Sequence, residues 1–288
     1  MPELPEVEIV KQSLEKRVKF KKIEKVLIKN RNLRFKIQNN MENLLKNQKI
    51  INIFRKSKYL IIQFLNNQYL IIHLGMSGTL HLVKNNKKIR RTNLSFYKSG
   101  ILPEKHNHIE IIFSGFKIIY NDPRRFGFFI ILSNKKDFIR YFNKFGPEPI
   151  DKSFTKAYLS KILKSKNTCV KSFLLNQKFV SGIGNIYANE ILFYSKINPR
   201  KLCKYLSGTE VGKIAKYSKV VLNKAIKKGG SSIKNFKNIK GKDGSFQNEF
   251  KVYNRENKPC LTFNCKENIK KITISNRSTF LCFSCQKK

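Results

Sequence analysis

Four cysteines near the carboxyl end constrain the fold more tightly than any other feature of the chain. Four residues separate Cys260 from Cys265, sixteen follow, and two separate Cys282 from Cys285. Two close pairs at this separation are a zinc pattern, with room for a short β-hairpin between them. Four thiolates leave no open coordination position, so the expected ion, one Zn2+, is structural. The competing reading is disulfide pairing, which a reducing compartment disfavours. Cys169 and Cys203 are left as ordinary buried thiols.

The other end carries reactive groups. The chain opens Met1-Pro2-Glu3-Leu4-Pro5-Glu6-Val7-Glu8. Pro5 suits the first turn of a helix, where its missing N–H would be unpaired anyway. Val7, Val10, Leu14 and Val18 recur at helical spacing and define an apolar face. Pro2 and Glu3 then sit at the positive end of the helix dipole, a field that favours carboxylates, Glu6 and Glu8 included. Removal of Met1 would expose the secondary amine of Pro2. Such an amine has a pKa near ~8, against ~10.4 for lysine, so more of it is neutral and nucleophilic at neutral pH. Glu3 is the adjacent candidate proton donor or acceptor. Read locally, the same residues would also serve simply to start a helix.

Between these ends the first half reads as short strands. Residues 23–29 and 50–54 are candidates. Residues 59–65 and 68–74 flank Asn66-Asn67 as a hairpin, and residues 108–113 and 116–120 flank Ser114-Gly115 as another. Residues 128–132 add a further run. Short strands with polar turns suggest a two-layer β-sandwich. Three loops stand out within it. Lys58 precedes a strand. His73-Leu74-Gly75-Met76-Ser77-Gly78 ends a strand in a glycine-rich turn with an apolar tip. Asp122-Pro123-Arg124-Arg125-Phe126-Gly127 pairs arginines with an aromatic: arginine reads base edges or phosphates, and phenylalanine wedges between base steps. An Asp–Arg ion pair in a turn is the simpler account of that loop. His106 and His108 lie in Glu104-Lys105-His106-Asn107-His108.

The second half begins after Phe145-Gly146-Pro147-Glu148-Pro149 and reads as helical. Helices are expected over residues 154–163, with Ser153 as cap, over 168–176, and over 207–228. Gly182-Ile183-Gly184-Asn185 before a further helix offers N–H groups to a phosphate, with Asn185 as an added donor. Residues 231–244 read as a loop without periodicity. Lys+Arg 60 against Asp+Glu 18 gives a net charge of +42, which points to a polyanionic partner. No apolar run reaches the ~20 residues of a membrane span. The acidic, helical start is unlike a secretory leader, so a cytoplasmic protein is expected.

Taken in order, the opening octapeptide, Lys58-Tyr59-Leu60, the Met76 loop, Asp122 to Gly127, Gly182 to Glu190 and Asn276-Arg277-Ser278-Thr279-Phe280 resemble bacterial formamidopyrimidine-DNA glycosylases along nearly the whole chain. The resemblance implies an α+β multidomain protein: an N-terminal helix plus β-sandwich (1–135), a linker (136–150), a helical helix-two-turns-helix domain with a lesion-capping loop (151–244) and a C-terminal four-cysteine zinc β-hairpin (245–288). It implies a monomeric bacterial repair enzyme that excises oxidised purines from duplex DNA and then cleaves the strand. Pro2, Glu3, Lys58 and Arg277 would be catalytic, with Glu6 in support. Met76, Arg124 and Phe126 would fill the space left by the everted nucleotide. His73, His106, Lys171 and Asn185 would contact DNA. Relatives carry a basic residue where Asn167 stands, a contact that Lys166 would replace. The wide Cys260–Cys265 knuckle also departs from the family, which usually has two intervening residues. Two rivals remain: an endonuclease VIII-like enzyme for oxidised pyrimidines, which Leu4 argues against, and a non-catalytic zinc-ribbon DNA-binding protein.

Overall fold

A computed structural model describes residues 2–84, 103–231 and 244–287. It divides into two compact units, Met1–Asn143 with Lys228–Ser245, and Lys144–Lys227 with Phe246–Lys288. The expected lesion-capping loop lies outside the described residues except for its ends. Those ends join the first unit rather than the helical one.

The first unit runs α1 (Leu4–Val18), β1 (Lys25–Ile28), α2 (Met41–Leu45), β2 (Ile50–Lys56), β3 (Tyr59–Phe64), β4 (Tyr69–His73), β5 (Thr79–Lys84), β6 (Asn107–Phe113), β7 (Phe116–Asn121), β8 (Phe128–Leu132) and α3 (Lys135–Phe142). Two antiparallel four-stranded sheets, in the orders β1-β6-β7-β5 and β2-β3-β4-β8, form the expected sandwich. Alternate residues of β3 and β4, such as Leu60, Ile62, Leu70 and Ile72, enter one core together with Val7, Val10, Leu14 and Val18 of α1.

The intervening Ile61 and Ile71 are also fully buried. Helix α3 supplies aromatic cover around this sheet: Phe138 stacks on Tyr69 at 4.8 Å and meets Phe54 at 5.7 Å, while Phe142 meets Tyr59 at 5.5 Å. Burial on both faces accounts for the nearly continuous apolar strands. Helix α3 occupies the first part of the expected 136–150 linker, and α2 and β5 are additions to the elements expected from the sequence.

The second unit contains α4 (Lys156–Leu163), α5 (Val170–Leu175), α6 (Asn185–Ser195), α7 (Gly208–Lys227), β9 (Lys270–Ile274) and β10 (Arg277–Leu281). The cap of α4 is Thr155, whose hydroxyl accepts the Tyr158 N–H at 3.1 Å, rather than Ser153. Helix α6 is buried almost all round and packs against α5, α7 and β10. Strands β9 and β10 join through Ser275 and Asn276, both with positive φ, as a two-residue hairpin turn requires. Among the described residues no helix is long and apolar enough to cross a membrane.

Candidate active site

Pro2 and Glu3 are buried at the start of α1, and Glu3 is its N-cap. Glu6 Oε2 accepts the Glu3 N–H at 2.9 Å, so the second carboxylate fixes the backbone beside the proposed nucleophile. Its other oxygen accepts both the N–H and the hydroxyl of Ser231 at 2.8 Å. Glu6 therefore ties the start of the chain to the residue that enters the 232–243 segment.

Lys58 is buried in the two-residue turn between β2 and β3, where Ser57 adopts a left-handed conformation. Glu8 of α1 binds Arg55 Nε at 3.0 Å, and Arg55 in turn donates to the Ser57 carbonyl at 2.8 Å. This relay couples the first turns of α1 to the lysine turn.

His73 ends β4, with Phe128 stacked on its ring at 5.2 Å and Tyr59 at 5.0 Å. Its Nδ1 accepts the Gly75 N–H at 3.0 Å. Burial, with help from the nearby Lys58 and Arg34 charges, brings its pKa down to about 4. The imidazole is neutral at pH 7, and with Nδ1 accepting, Nε2 carries the proton.

The Met76 and Arg124 loops lie back to back. Gly75 has φ +64°, and a Cβ there would stand 2.4 Å from the Phe126 carbonyl carbon and the Gly127 nitrogen. Only a residue without a side chain permits this approach. Two apolar groups stay in solvent at the loop tips, Met76 at 40% and Phe126 at 42% exposure. The Arg124 guanidinium lies 4.6 Å from the Phe126 ring centroid. The Asp–Arg ion pair that would have explained this loop simply is not formed, because the Asp122 carboxylate is held by hydroxyl and backbone donors. His106 is half-buried, and burial, then Lys105, lowers its pKa.

One hollow of the first unit, about 890 Å³, is lined by Asn52, Tyr69, Lys135 and Phe138 among others. None of its lining residues belongs to the candidate site.

In the second unit one expected DNA contact, Lys171, is corrected, and the other, Asn185, also bonds within the protein. Lys171 is 0% exposed, and its ammonium donates to Thr279 Oγ1 at 2.7 Å and to the Ser278 carbonyl at 3.0 Å. The Asn185 side-chain amide donates to the same carbonyl at 2.9 Å. Both donors are turned to the hairpin, where the buried Thr279 hydroxyl in particular needs a partner. Asn189 Oδ1 adds a bond to the Phe280 N–H at 2.8 Å. Side chains from α5 and α6 thus fix consecutive links of β10, and Arg277, exposed at its first position, is presented from a clamped strand. Lys166 is half-buried with its ammonium 4.7 Å from the Phe179 ring centroid, beside exposed Asn167.

The four cysteine sulfurs lie within 4.8 Å of one another. Cys260 and Cys285 are 3.8 Å apart, and Cys265 and Cys282 are 3.6 Å apart. A tetrahedral ion bound at ~2.3 Å separates its sulfurs by about 3.8 Å. A disulfide needs ~2.05 Å, so these residues fit a metal and exclude the disulfide alternative. The widened knuckle still closes the set.

Sequence reading missed Asn189, and also Glu190, whose buried carboxylate accepts the N–H groups of Lys251, Val252 and Tyr253 at 2.8–3.0 Å. It missed Ser231 and Ser77 as well. Small polar residues in turns carry no periodic signal, although Asp122 before a proline is the usual residue to hold a turn.

Residues 1–129 match the family model described as the formamidopyrimidine-DNA glycosylase N-terminal domain, and residues 145–237 match the H2TH domain of the same enzymes. A formamidopyrimidine-DNA glycosylase of Wolbachia pipientis (subsp. Culex pipiens) is 40% identical over 287 residues, 99% of this chain and 100% of the relative. The chain also superposes on Lactococcus lactis Fpg solved with DNA containing an abasic site, with TM-score 0.88, 32% identity and coverage of 99% and 100%. A mutant of that enzyme with DNA containing Fapy-dG gives TM-score 0.89, 32% identity and full coverage of both chains.

Proposed function

Because the chain belongs to the formamidopyrimidine-DNA glycosylase family, we propose that it is a base-excision repair enzyme that removes 8-oxoguanine and formamidopyrimidines from duplex DNA and cleaves the strand at the resulting site. The observation that carries this reading is the pair of loops locked through Gly75, which hold Met76, Arg124 and Phe126 outward together. A base inside the stack is out of reach, so it must be turned out and its place filled. Met76 enters the vacancy, Arg124 faces the widowed base and Phe126 wedges the adjacent step.

With Met1 removed, the Pro2 nitrogen attacks C1′, the bond to the damaged base breaks, and the base leaves with a proton. Glu3 shuttles protons to and from the sugar, with Glu6 holding the Glu3 backbone in place. Glu3 protonates O4′ as the C1′–O4′ bond opens, and the resulting iminium at the Pro2 nitrogen acidifies C2′ and, after the first elimination, C4′. β-Elimination then expels the 3′ phosphate and δ-elimination the 5′ phosphate, leaving a one-nucleotide gap. Lys58 and Arg277 serve the phosphates, and neutral His73 donates through Nε2. His106, Lys166 and the backbone of the Gly184-Asn185 turn add backbone contacts. The ion held by Cys260, Cys265, Cys282 and Cys285 is Zn2+, and it stabilises the hairpin without entering the reaction. The protein acts as a monomer in the bacterial cytoplasm.

A panel of duplexes carrying 8-oxoguanine, formamidopyrimidine or thymine glycol tests the substrate. Faster cleavage of the two purine lesions is expected. Preference for thymine glycol would instead favour an enzyme for oxidised pyrimidines.

A further inference from the structure

The buried Asp122 carboxylate meets four donors, three from the two loops and one from Tyr120 of β7. Oδ1 accepts from the Ser77 hydroxyl and from the Arg124 N–H at 3.2 Å. Oδ2 accepts from the Tyr120 hydroxyl and the Gly127 N–H, each at 2.9 Å. The Asp122 carbonyl accepts the Arg125 N–H at 3.2 Å and lies 2.7 Å from His108 Nε2. The side chain is fully buried, and among the described residues it forms no ion pair with a basic side chain. Burying a carboxylate without a cation is costly unless hydrogen bonds replace its water, and four donors do so here.

The placement of those donors gives the carboxylate a particular task. Ser77 follows Met76, while Arg124 and Gly127 bracket the turn that carries Arg124 and Phe126. One side chain therefore fixes both gap-filling loops from beneath, next to the Gly75 contact. We infer that Asp122 is a positioning residue that sets the two loops in a single register, so that Met76, Arg124 and Phe126 enter the duplex as one unit and the preference for the opposite base depends on it. This rests on the reading that those three residues fill the vacancy. Asparagine has the same shape but turns an NH2 group towards one of the two donor pairs, each of which contains a backbone N–H that cannot accept. It cannot satisfy them all.

The test compares Asp122→Asn and Ser77→Ala with Arg124→Ala in the full chain. Three rates are measured: excision of 8-oxoguanine opposite cytosine, excision opposite adenine, and cleavage of a preformed abasic site in single-stranded DNA, which has no vacancy to fill. Asp122→Asn should lower excision opposite cytosine about tenfold and narrow the cytosine-over-adenine preference as Arg124→Ala does, with a much smaller loss on the single strand. Ser77→Ala, which removes one donor, should narrow the preference less. It carries the test if Asp122→Asn does not fold. The inference is overturned if Arg124→Ala narrows the preference while Asp122→Asn or, failing that, Ser77→Ala leaves it intact. It is also overturned if Asp122→Asn lowers all three rates by one factor. Retention of the preference in Arg124→Ala would remove the gap-filling reading and this inference with it.

Discussion

Lys171 Nζ and Thr279 Oγ1 are 2.7 Å apart in the interior of the second unit, a lysine of α5 bonded to the strand that presents Arg277. A lysine that faces inward cannot release counterions from DNA phosphates. Lys171→Met should therefore leave the slope of log affinity against log salt at its parental value, whereas loss of a phosphate contact would reduce the slope by about one. Stability should fall by about 1–3 kcal/mol in denaturant titration, because the Thr279 hydroxyl loses its buried donor. A shallower salt slope would return Lys171 to the DNA surface.

Gly75→Ala tests the back-to-back loops. Its φ of +64° strains any L side chain, and the added carbon meets backbone at 2.4 Å. A loss of about 1–3 kcal/mol is expected, with excision from duplexes reduced further than single-strand cleavage. Unaltered excision by a folded Gly75→Ala protein would mean that the loops need not touch.

Two half-buried imidazoles give a pH dependence with a fixed sign. Burial lowers the pKa values of both His73 and His81 from 6.5 to about 4. Unfolded, each binds a proton below pH 6.5, while folded each stays neutral down to about pH 4. Their contribution is present in full above pH 6.5 and is lost as pH falls from there through about 4, by at most about 3 kcal/mol each. Urea titrations across this window should show stability falling with acidification. His81→Gln, which retains a partner for Thr79 Oγ1, should flatten the slope. An equally steep slope in that variant would assign the effect to other groups.

Metal analysis should return one ion per chain, with Zn2+ as the ion. Stripping it with a strong chelator, or replacing Cys265 with serine, should loosen the β9–β10 hairpin and weaken DNA binding together, because four thiolates hold this small element. Full affinity in metal-free protein would show that the hairpin stands without it.

The elements legible in the sequence were those with local signals. The spacing of Val7, Val10, Leu14 and Val18 marked α1, and the polar dipeptides between apolar runs marked two hairpins. The cysteine spacing anticipated the sulfur cluster. Strand β5 was hidden because it follows directly on the glycine loop, and α3 because its apolar residues face a sheet whose cover cannot be read locally. Lys171 and Asp122 failed for the same reason. A buried lysine that grips a carbonyl has the same letters as a lysine in solvent, and an aspartate that gathers four donors looks like an ordinary turn residue. Tertiary partners, rather than neighbours in sequence, decided both.

The most direct measurement is borohydride reduction of the protein, processed to a free Pro2 terminus, on duplex DNA with 8-oxoguanine opposite cytosine. The account predicts one covalent protein–DNA adduct, with the sugar attached to the Pro2 nitrogen, and its loss together with strand cleavage when that terminus is acetylated or extended. An adduct on Lys58 or another lysine, or undiminished cleavage by the blocked protein, would contradict it.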